Sequence, residues 1–376
     1  MISFDISKEW IICIPPDIPA AKKSAEDLSH YIDLLRRQSG LPQKPLPIKA
    51  ISENASDCGV FAIFLQVQRD GREKNGFSWR VGRERAEING ESDRGICNGV
   101  FDFLAALGFN WPEPDQETLP PLNKIKPQEY ILKESYAYHP SGDDTIRRRL
   151  LFSRKKTSKK WKSLIVWAVR NQIDTLVFSL QNPVLENKDD LKRRKFFTKP
   201  FQKIFKNSHH SPQEVLDLAE SYAMTIELGG WDISLLVPRR YFLFNRDMFR
   251  MDSGKRDKEH NFCPTAPDTI KILKTEAAKV FRSHPEITVY HLWPDMGYEK
   301  AWCSCPACRA FTLEEQNRMA VTAAADTLAE INPNGRISYY ENPSRKGDME
   351  LRPNLFRVTC LPGEAGAEAG GWFLGN

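Results

Sequence analysis

The chain has 376 residues, 41% of them hydrophobic and 27% charged, with 54 basic against 49 acidic side chains and a formal net charge of +5. That length suits two domains, or one large domain with a satellite, and the apolar content excludes a disordered chain. The near balance of charge gives no general case for nucleic acid.

No run approaches the ~20 apolar residues of a membrane-spanning helix, and the opening MISFDISKEW lacks the layout of a signal peptide. The expectation is a soluble, cytoplasmic chain with neither a membrane nor a nucleic-acid partner, its oligomeric state left open. Of the eight cysteines, those at 13, 58, 97, 263 and 360 are scattered singly. In a chain long enough to build its own core they read as free thiols in a reducing compartment.

Trp10 to Ile18 is an apolar run of strand length ended by prolines. Ala21, Leu28, Ile32 and Leu35 follow at helical spacing until Gly40 stops the pattern. Gly59 to Val67 reads as a buried strand, and Phe77 to Glu87 alternates into an Asn89-Gly90 turn. Ser92 or Asp93 can cap a helix from about residue 94 to Leu107, which Gly108 ends. Residues 1–114 are therefore expected to form a small α/β domain, and the proline-rich stretch 115–128 a linker.

From residue 129 to 376 strand and helix patterns alternate. Strands are predicted at Tyr130–Tyr138, Thr175–Gln181, Asp232–Pro238, Thr288–Trp293 and Arg336–Tyr340. The helices between them are predicted at about 160–171, 212–227, 268–283 and 314–331. Such alternation predicts parallel strands with helical crossovers, in one long run a (β/α) barrel of the TIM type. A sixth strand at Leu355–Cys360 is the last, and the Gly/Ala-rich tail 362–376 has no strand period, so the barrel is expected to be incomplete at its C-terminal end. A smaller open α/β sheet is the alternative. The basic segment 186–210, with its interleaved phenylalanines, is read as a solvated insertion rather than a phosphate-binding face.

EINGESDRGICNGVFDFLAALGFNWPEP, residues 87–114, resembles the small α/β domain that precedes the barrel in α-glucuronidases and family 20 β-hexosaminidases. Its markers are Arg94-Gly95, Gly99-Val100, Phe103-Leu104, Leu107-Gly108 and Trp111. Gly95 and Gly99 stand on one helix face and would let the helix approach the sheet closely, which makes this domain a packing module. The second half is similar to a large bacterial family of glycoside-hydrolase-like barrel proteins, classed as a domain of unknown function. That resemblance rests on His291-Leu292-Trp293-Pro294-Asp295, on the C-x-C-x-x-C at 303–308, on the Asn317–Ile331 stretch and on Tyr339-Tyr340-Glu341. It narrows the fold far more than the substrate.

Active sites of such barrels lie at the carboxyl ends of the strands. Asp295 and Glu341 each follow a predicted strand, and neighbouring strands about 4.8 Å apart could bring two carboxyl groups within the ~5–9.5 Å used by glycosidases. Alternatively Asp295 caps a turn and Glu341 pairs with Arg239 or Arg345. Tyr138 and His139, Asn182, Arg239, His291, Trp293 and Tyr340 at the same predicted rim offer aromatic faces and hydrogen bonds to a sugar. His291, with apolar neighbours, also reads as a satisfied core histidine. Cys303, Cys305 and Cys308, with Cys263 or His260 as a fourth ligand, suit a structural zinc or, equally, a loop shaped by free or paired cysteines. The combined expectation is a carbohydrate-active protein, a glycoside hydrolase acting on a glycan or uronide by carboxylate acid/base chemistry with no required cofactor. A non-catalytic carbohydrate-binding or scaffold protein is the rival.

Overall fold

The structure, a computed structural model, describes residues 3–51, 58–68, 75–121, 129–131, 136–139, 149–152, 161–178, 180, 212–231, 233–258, 260–294, 302–340, 352–358 and 372–375. The chain divides into two compact units that interleave along the sequence. One comprises Met1–Arg148, Ser158–Thr175 and Pro200–Thr225; the other comprises Arg149–Thr157, Leu176–Lys199 and Ile226–Asn376.

In the first unit the strands are β1 (Ser3–Asp5), β2 (Ile11–Ile14), β3 (Ile48–Ala50), β4 (Ala62–Val67), β5 (Phe77–Val81), β6 (Arg85–Gly90), β7 (Asn110–Glu113), β8 (Gln116–Thr118), β9 (Glu129–Ile131) and β10 (Tyr136–His139). The helices are α1 (Pro19–Gln38), α2 (Asp93–Ala106), α3 (Trp161–Arg170) and α4 (Pro212–Ser221). A six-stranded sheet runs in the order β10-β5-β6-β4-β2-β3. The Ser92 hydroxyl caps α2 by accepting from the Gly95 N–H at 3.0 Å. A Cβ on Gly99 would lie 2.8 Å from the Ile88 side chain and one on Gly95 2.5 Å from the Gly76 carbonyl, so only glycine lets α2 sit this close to its neighbours.

Arg94, buried beside them, donates to the carbonyls of Ile173 at 3.0 Å and Val169 and Tyr222 at 3.4 Å, and its charge is met by Asp174 at 3.3 Å. Trp111 packs on Tyr31, Phe101 and Phe109, and its carbonyl accepts from the Trp167 indole N–H at 3.0 Å. The two markers of the resemblance are thus structural braces. Cys13 and Cys58 are joined in a disulfide, which corrects the reading of both as free thiols and weakens the argument for a reducing compartment.

The second unit is built on a seven-stranded sheet. Its strands are β11 (Arg149–Phe152), β12 (Thr175–Phe178), β13 (Thr225–Gly230), β16 (Val289–Leu292), β17 (Arg336–Tyr340), β18 (Leu355–Val358) and β19 (Trp372–Gly375). Between β13 and β16 lies a small hairpin of β14 (Met251–Asp252) and β15 (Lys255–Arg256), and helices α5 (Pro267–Ser283) and α6 (Leu313–Ile331) follow in chain order. The strand order is β18-β17-β16-β13-β12-β11-β19, and the pairings whose register is described run parallel. Among the described residues this sheet is open, with β18 and β19 at its edges. Leu228, Tyr290, Leu292, Ile337 and Tyr339 are buried on one face. His291, Trp293, Ser338 and Glu227 are buried on the other, so both faces are covered, as parallel sheets require.

Four sequence-based expectations change here. The sheet's first strand is Arg149–Phe152, and Tyr136–His139 instead pairs antiparallel with β5 in the first unit. The third strand is Thr225–Gly230 and not Asp232–Pro238, whose residues 233–236 form a 3-10 turn. Helix α4 stops at Ser221 because Ala223 takes a left-handed φ of 49°, and Gly229 and Gly230, at φ 118° and 135°, end the strand that follows. The tail supplies a strand after all: Trp372–Gly375 pairs parallel with Arg149–Phe152. The basic segment 186–210 lies outside the described residues.

Candidate functional site

A polar chain runs across one face of the second sheet. The Arg149 guanidinium on β11 reaches the Glu227 carboxylate on β13 at 2.7 Å, and that carboxylate meets His291 Nε2 on β16, also at 2.7 Å. His291 Nδ1 lies 2.6 Å from Ser338 Oγ on β17, and the Trp293 indole N–H donates to the same oxygen at 3.0 Å. The register explains the assembly: Gly229 faces His291 and His291 faces Ser338 across successive strands, and Glu227, two residues before Gly229, shares its face. A Cβ on Gly229 would lie 1.9 Å from the His291 carbonyl, so the strands approach this closely only with glycine there.

The charges follow from burial and pairing. Burial alone would raise the Glu227 carboxyl, but the Arg149 charge and the His291 hydrogen bond outweigh it and hold the group down to about 2. Burial holds His291 below its ordinary value despite the adjacent carboxylate, so the ring is neutral at neutral pH. A carboxylate only accepts, so Nε2 carries the proton and Nδ1 accepts from the Ser338 hydroxyl, which in turn accepts from Trp293. Every link has a donor and an acceptor. The serine, histidine and acid are in line, yet Ser338 is 0% exposed and cannot serve as a nucleophile toward substrate.

Above this chain, toward the carboxyl ends of the strands, Leu151, Val177 and Trp293 form an apolar cluster against which Trp231, Tyr340 and Val358 pack. Trp231 meets Trp293 edge to face at 5.5 Å between ring centroids, and the Tyr340 carbonyl accepts from Asn317 on α6 at 2.9 Å. His291 and Trp293 are both wholly buried. This corrects their assignment as sugar contacts: His291 is a satisfied core histidine, and Trp293 supports the rings around it. Trp231 and Tyr340, half-buried, are the aromatic groups at this end of the sheet. Tyr138 and His139 lie on the first unit's sheet and not on this one. Arg239 opens a 3-10 turn well past the end of β13 and does not end a strand; its neighbour Arg240 pairs with Glu276 on α5 at 3.3 Å, so the two are not a free clamp. Asp295, Glu341 and Asn182 lie outside the described residues. In the chain Asp295 comes two residues after Trp293, and Glu341 directly after Tyr340.

Glu227, Arg149 and Trp231 escaped the sequence reading. The alternation in Thr225-Ile226-Glu227-Leu228 was the available signal for a strand carrying an inward acid. The four cysteines do converge: the sulfurs of Cys263, Cys303, Cys305 and Cys308 all lie within 4.8 Å of one another, and all four residues are buried. They could hold a metal ion. His260, the other suggested ligand, is not in the group and lies 3.8 Å from Asp257.

No family model matches the chain, and no curated protein matches it. Solved structures do. A GH20 exo-β-N-acetylglucosaminidase from Vibrio harveyi (D437A inactive mutant) is similar at 14% identity and a TM-score of 0.53, over 99% of this chain and 57% of that enzyme. A β-N-acetylhexosaminidase from Bacteroides fragilis is similar at 15% identity and a TM-score of 0.52, over 93% of this chain and 65% of the other. The Flavobacterium johnsoniae chitobiase gives 15% identity and a TM-score of 0.54, over 90% of this chain and 50% of the other. The fold is glycoside-hydrolase-like, and the chain spans half to two thirds of the length of these three enzymes.

Proposed function

We propose that this is a carbohydrate-active protein, a glycoside hydrolase whose site lies at the carboxyl ends of the second sheet's strands, with Asp295 and Glu341 as its acid pair. The observation that carries the reading is the pair of half-buried aromatic side chains, Trp231 and Tyr340, packed on one cluster at the end of a parallel sheet of glycoside-hydrolase-like fold. Sugar rings stack their C–H faces on such side chains. Asp295 and Glu341, which follow Trp293 and Tyr340 closely in the chain, would supply the two carboxyl groups that glycoside cleavage needs. One is protonated and delivers its proton to the leaving oxygen, while the other is ionised and attacks or activates water. The chemistry needs no cofactor, and a tetrathiolate centre is closed, so a zinc ion at the cysteines would be structural.

The test is a screen of the purified chain against aryl glycosides, N-acetylhexosaminides and uronides, followed by Asp295→Asn and Glu341→Gln. Each variant is expected to lose about 10²–10⁴-fold in kcat, the usual worth of a positioned acid or base. Trp231→Ala is expected to raise KM with little change in kcat. Activity unaffected by both carboxylate substitutions would overturn the assignment. Glycan binding with no turnover in the unsubstituted chain would make it a binding protein instead.

A further inference from the structure

We infer that Cys263, Cys303, Cys305 and Cys308 bind one zinc ion as a closed, structural tetrathiolate that fastens the segment after β13 to the segment after β16. The sulfurs have the spacing for it. A tetrahedron with Zn–S bonds of about 2.3 Å has edges of about 3.8 Å, and Cys263 Sγ lies 3.7 Å from Cys305 Sγ and 3.5 Å from Cys308 Sγ. A disulfide would need about 2.05 Å, so these contacts are not bridges. No cysteine of the group belongs to a strand or an α-helix; the fold has brought together side chains from two loops, one ligand from the first and three from the second.

The groups around the sulfurs are those a thiolate needs. Cys303 Sγ accepts from the backbone N–H of Met251 at 3.3 Å and of Cys305 at 3.4 Å, and the Arg256 guanidinium reaches it at 3.7 Å. The Thr265 hydroxyl lies 3.0 Å from Cys308 Sγ and 3.3 Å from Cys263 Sγ. Four thiolates around a dication leave a net charge of about −2, and backbone amides with a guanidinium are the outer partners that offset it. Gln316 on α6 fixes the loop from the other side. Its carbonyl accepts from the Cys303 N–H at 3.1 Å, and its amide donates to the Cys303 and Cys308 carbonyls at 3.1 and 3.3 Å. The β14–β15 hairpin joins through Met251, whose carbonyl accepts from the Ser304 N–H at 2.9 Å and hydroxyl at 2.8 Å.

Sulfur ligands on a tetrahedron select zinc over hard cations such as magnesium or calcium. On binding, the four thiols lose four protons and form four Zn–S bonds, with no change of oxidation state. All four positions are filled by protein, so the ion has no place for water or substrate. This inference does not depend on the glycosidase assignment, and its readout is metal content.

The experiment is elemental analysis of the full chain purified under reducing conditions from zinc-supplemented cells, with cobalt substitution. One zinc per chain is expected, retained through dialysis. Cobalt-loaded protein should show the sulfur-to-metal charge transfer and tetrahedral ligand-field bands of a four-thiolate site. Cys303→Ser with Cys308→Ser should abolish zinc, while Cys97→Ser, at a buried cysteine outside the group, should keep it. Cys305→His keeps a ligand at that place, so it should retain one metal ion while weakening the cobalt charge-transfer band, a change that unfolding alone cannot produce. The inference is overturned by protein that carries no stoichiometric zinc and takes up no cobalt. It is equally overturned by iron in place of zinc.

Discussion

Both units bury an arginine against a carboxylate, but they use the charge differently. In the first, Arg94 caps the carbonyls of Val169, Ile173 and Tyr222 at the ends of helical segments, and Asp174 merely balances it at 3.3 Å. In the second, Arg149 fixes one end of a chain that passes through Glu227, His291 and Ser338 to Trp293. The first arrangement closes backbone groups that folding left open. The second links side chain to side chain: it fixes which histidine nitrogen carries the proton and orients an indole beneath the aromatic cluster. Buried charge in one unit finishes a fold, and in the other it organises the layer below the candidate site.

The sharpest way to break the comparison is Glu227→Ala. It leaves Arg149 charged and buried, and removing one partner of such a pair costs roughly 3–5 kcal/mol. Urea unfolding followed by circular dichroism should show that loss, with amide exchange accelerated in β13, β16 and β17. A loss below about 1 kcal/mol would mean that the chain is ornamental.

Acid should act in the same direction with a somewhat smaller effect. The Glu227 carboxyl is held at about 2 in the folded chain against an ordinary 4.5, so the unfolded chain binds more protons between those values. Its stabilisation is complete above pH ~4.5 and is lost as pH falls toward ~2, a term on the order of 3 kcal/mol. His291 is also depressed from its ordinary 6.5. Its contribution is therefore complete above pH ~6.5 and fades below it. Urea midpoints taken from pH 7 to pH 3 should fall for the unsubstituted chain and fall less for Glu227→Gln, which cannot titrate. Parallel curves would rule out Glu227 as the acid-sensitive group.

The two units also differ in how much of them the sequence reveals. The first unit's key features are local: a serine three residues before the amide it caps, two glycines four apart on one helix face, a tryptophan just past the helix end. Period and spacing expose all of these. In the second unit the alternation of strands and helices was legible and predicted a parallel sheet, but the polar chain was not. Glu227 meets partners 78 and 64 residues away in sequence, and the left-handed turn at Ala223 that moves it from helix to strand has no glycine to announce it. The edge strand Trp372–Gly375 was hidden for the same reason, since its identity comes from pairing with Arg149–Phe152 and not from its own period. The cysteine cluster was half legible: three ligands lie within six residues, and the fourth is chosen by folding.

Gly95→Ala tests the first unit where shape and not charge decides. The added methyl would sit 2.5 Å from the Gly76 carbonyl and 3.1 Å from the Gly90 Cα, both backbone atoms that cannot rotate away. Overpacking of this kind costs about 1–3 kcal/mol, partly offset because alanine is the better helix former by about 1 kcal/mol. A net loss of stability with no change in its pH dependence is expected. A loss that grew with acid would show that the charge around Arg94 had been disturbed as well.

Ser92→Ala is the smallest of these changes and the one that isolates a single hydrogen bond. The hydroxyl accepts from the Gly95 N–H at 3.0 Å and lies 3.0 Å from the Asn75 side-chain oxygen, so its own proton is also placed. Losing an N-cap of this type costs about 1 kcal/mol. Ser92→Asp keeps an acceptor at the cap and adds a negative charge at the helix N-terminus, which the helix dipole favours, but it removes the donor that Asn75 receives. Recovery of most of the lost stability by Asp would assign the energy to the cap. Recovery by Thr, which keeps both the acceptor and the donor, but not by Asp would assign it to the Asn75 contact instead, making the first unit's helix depend on the turn before it rather than on its own terminus.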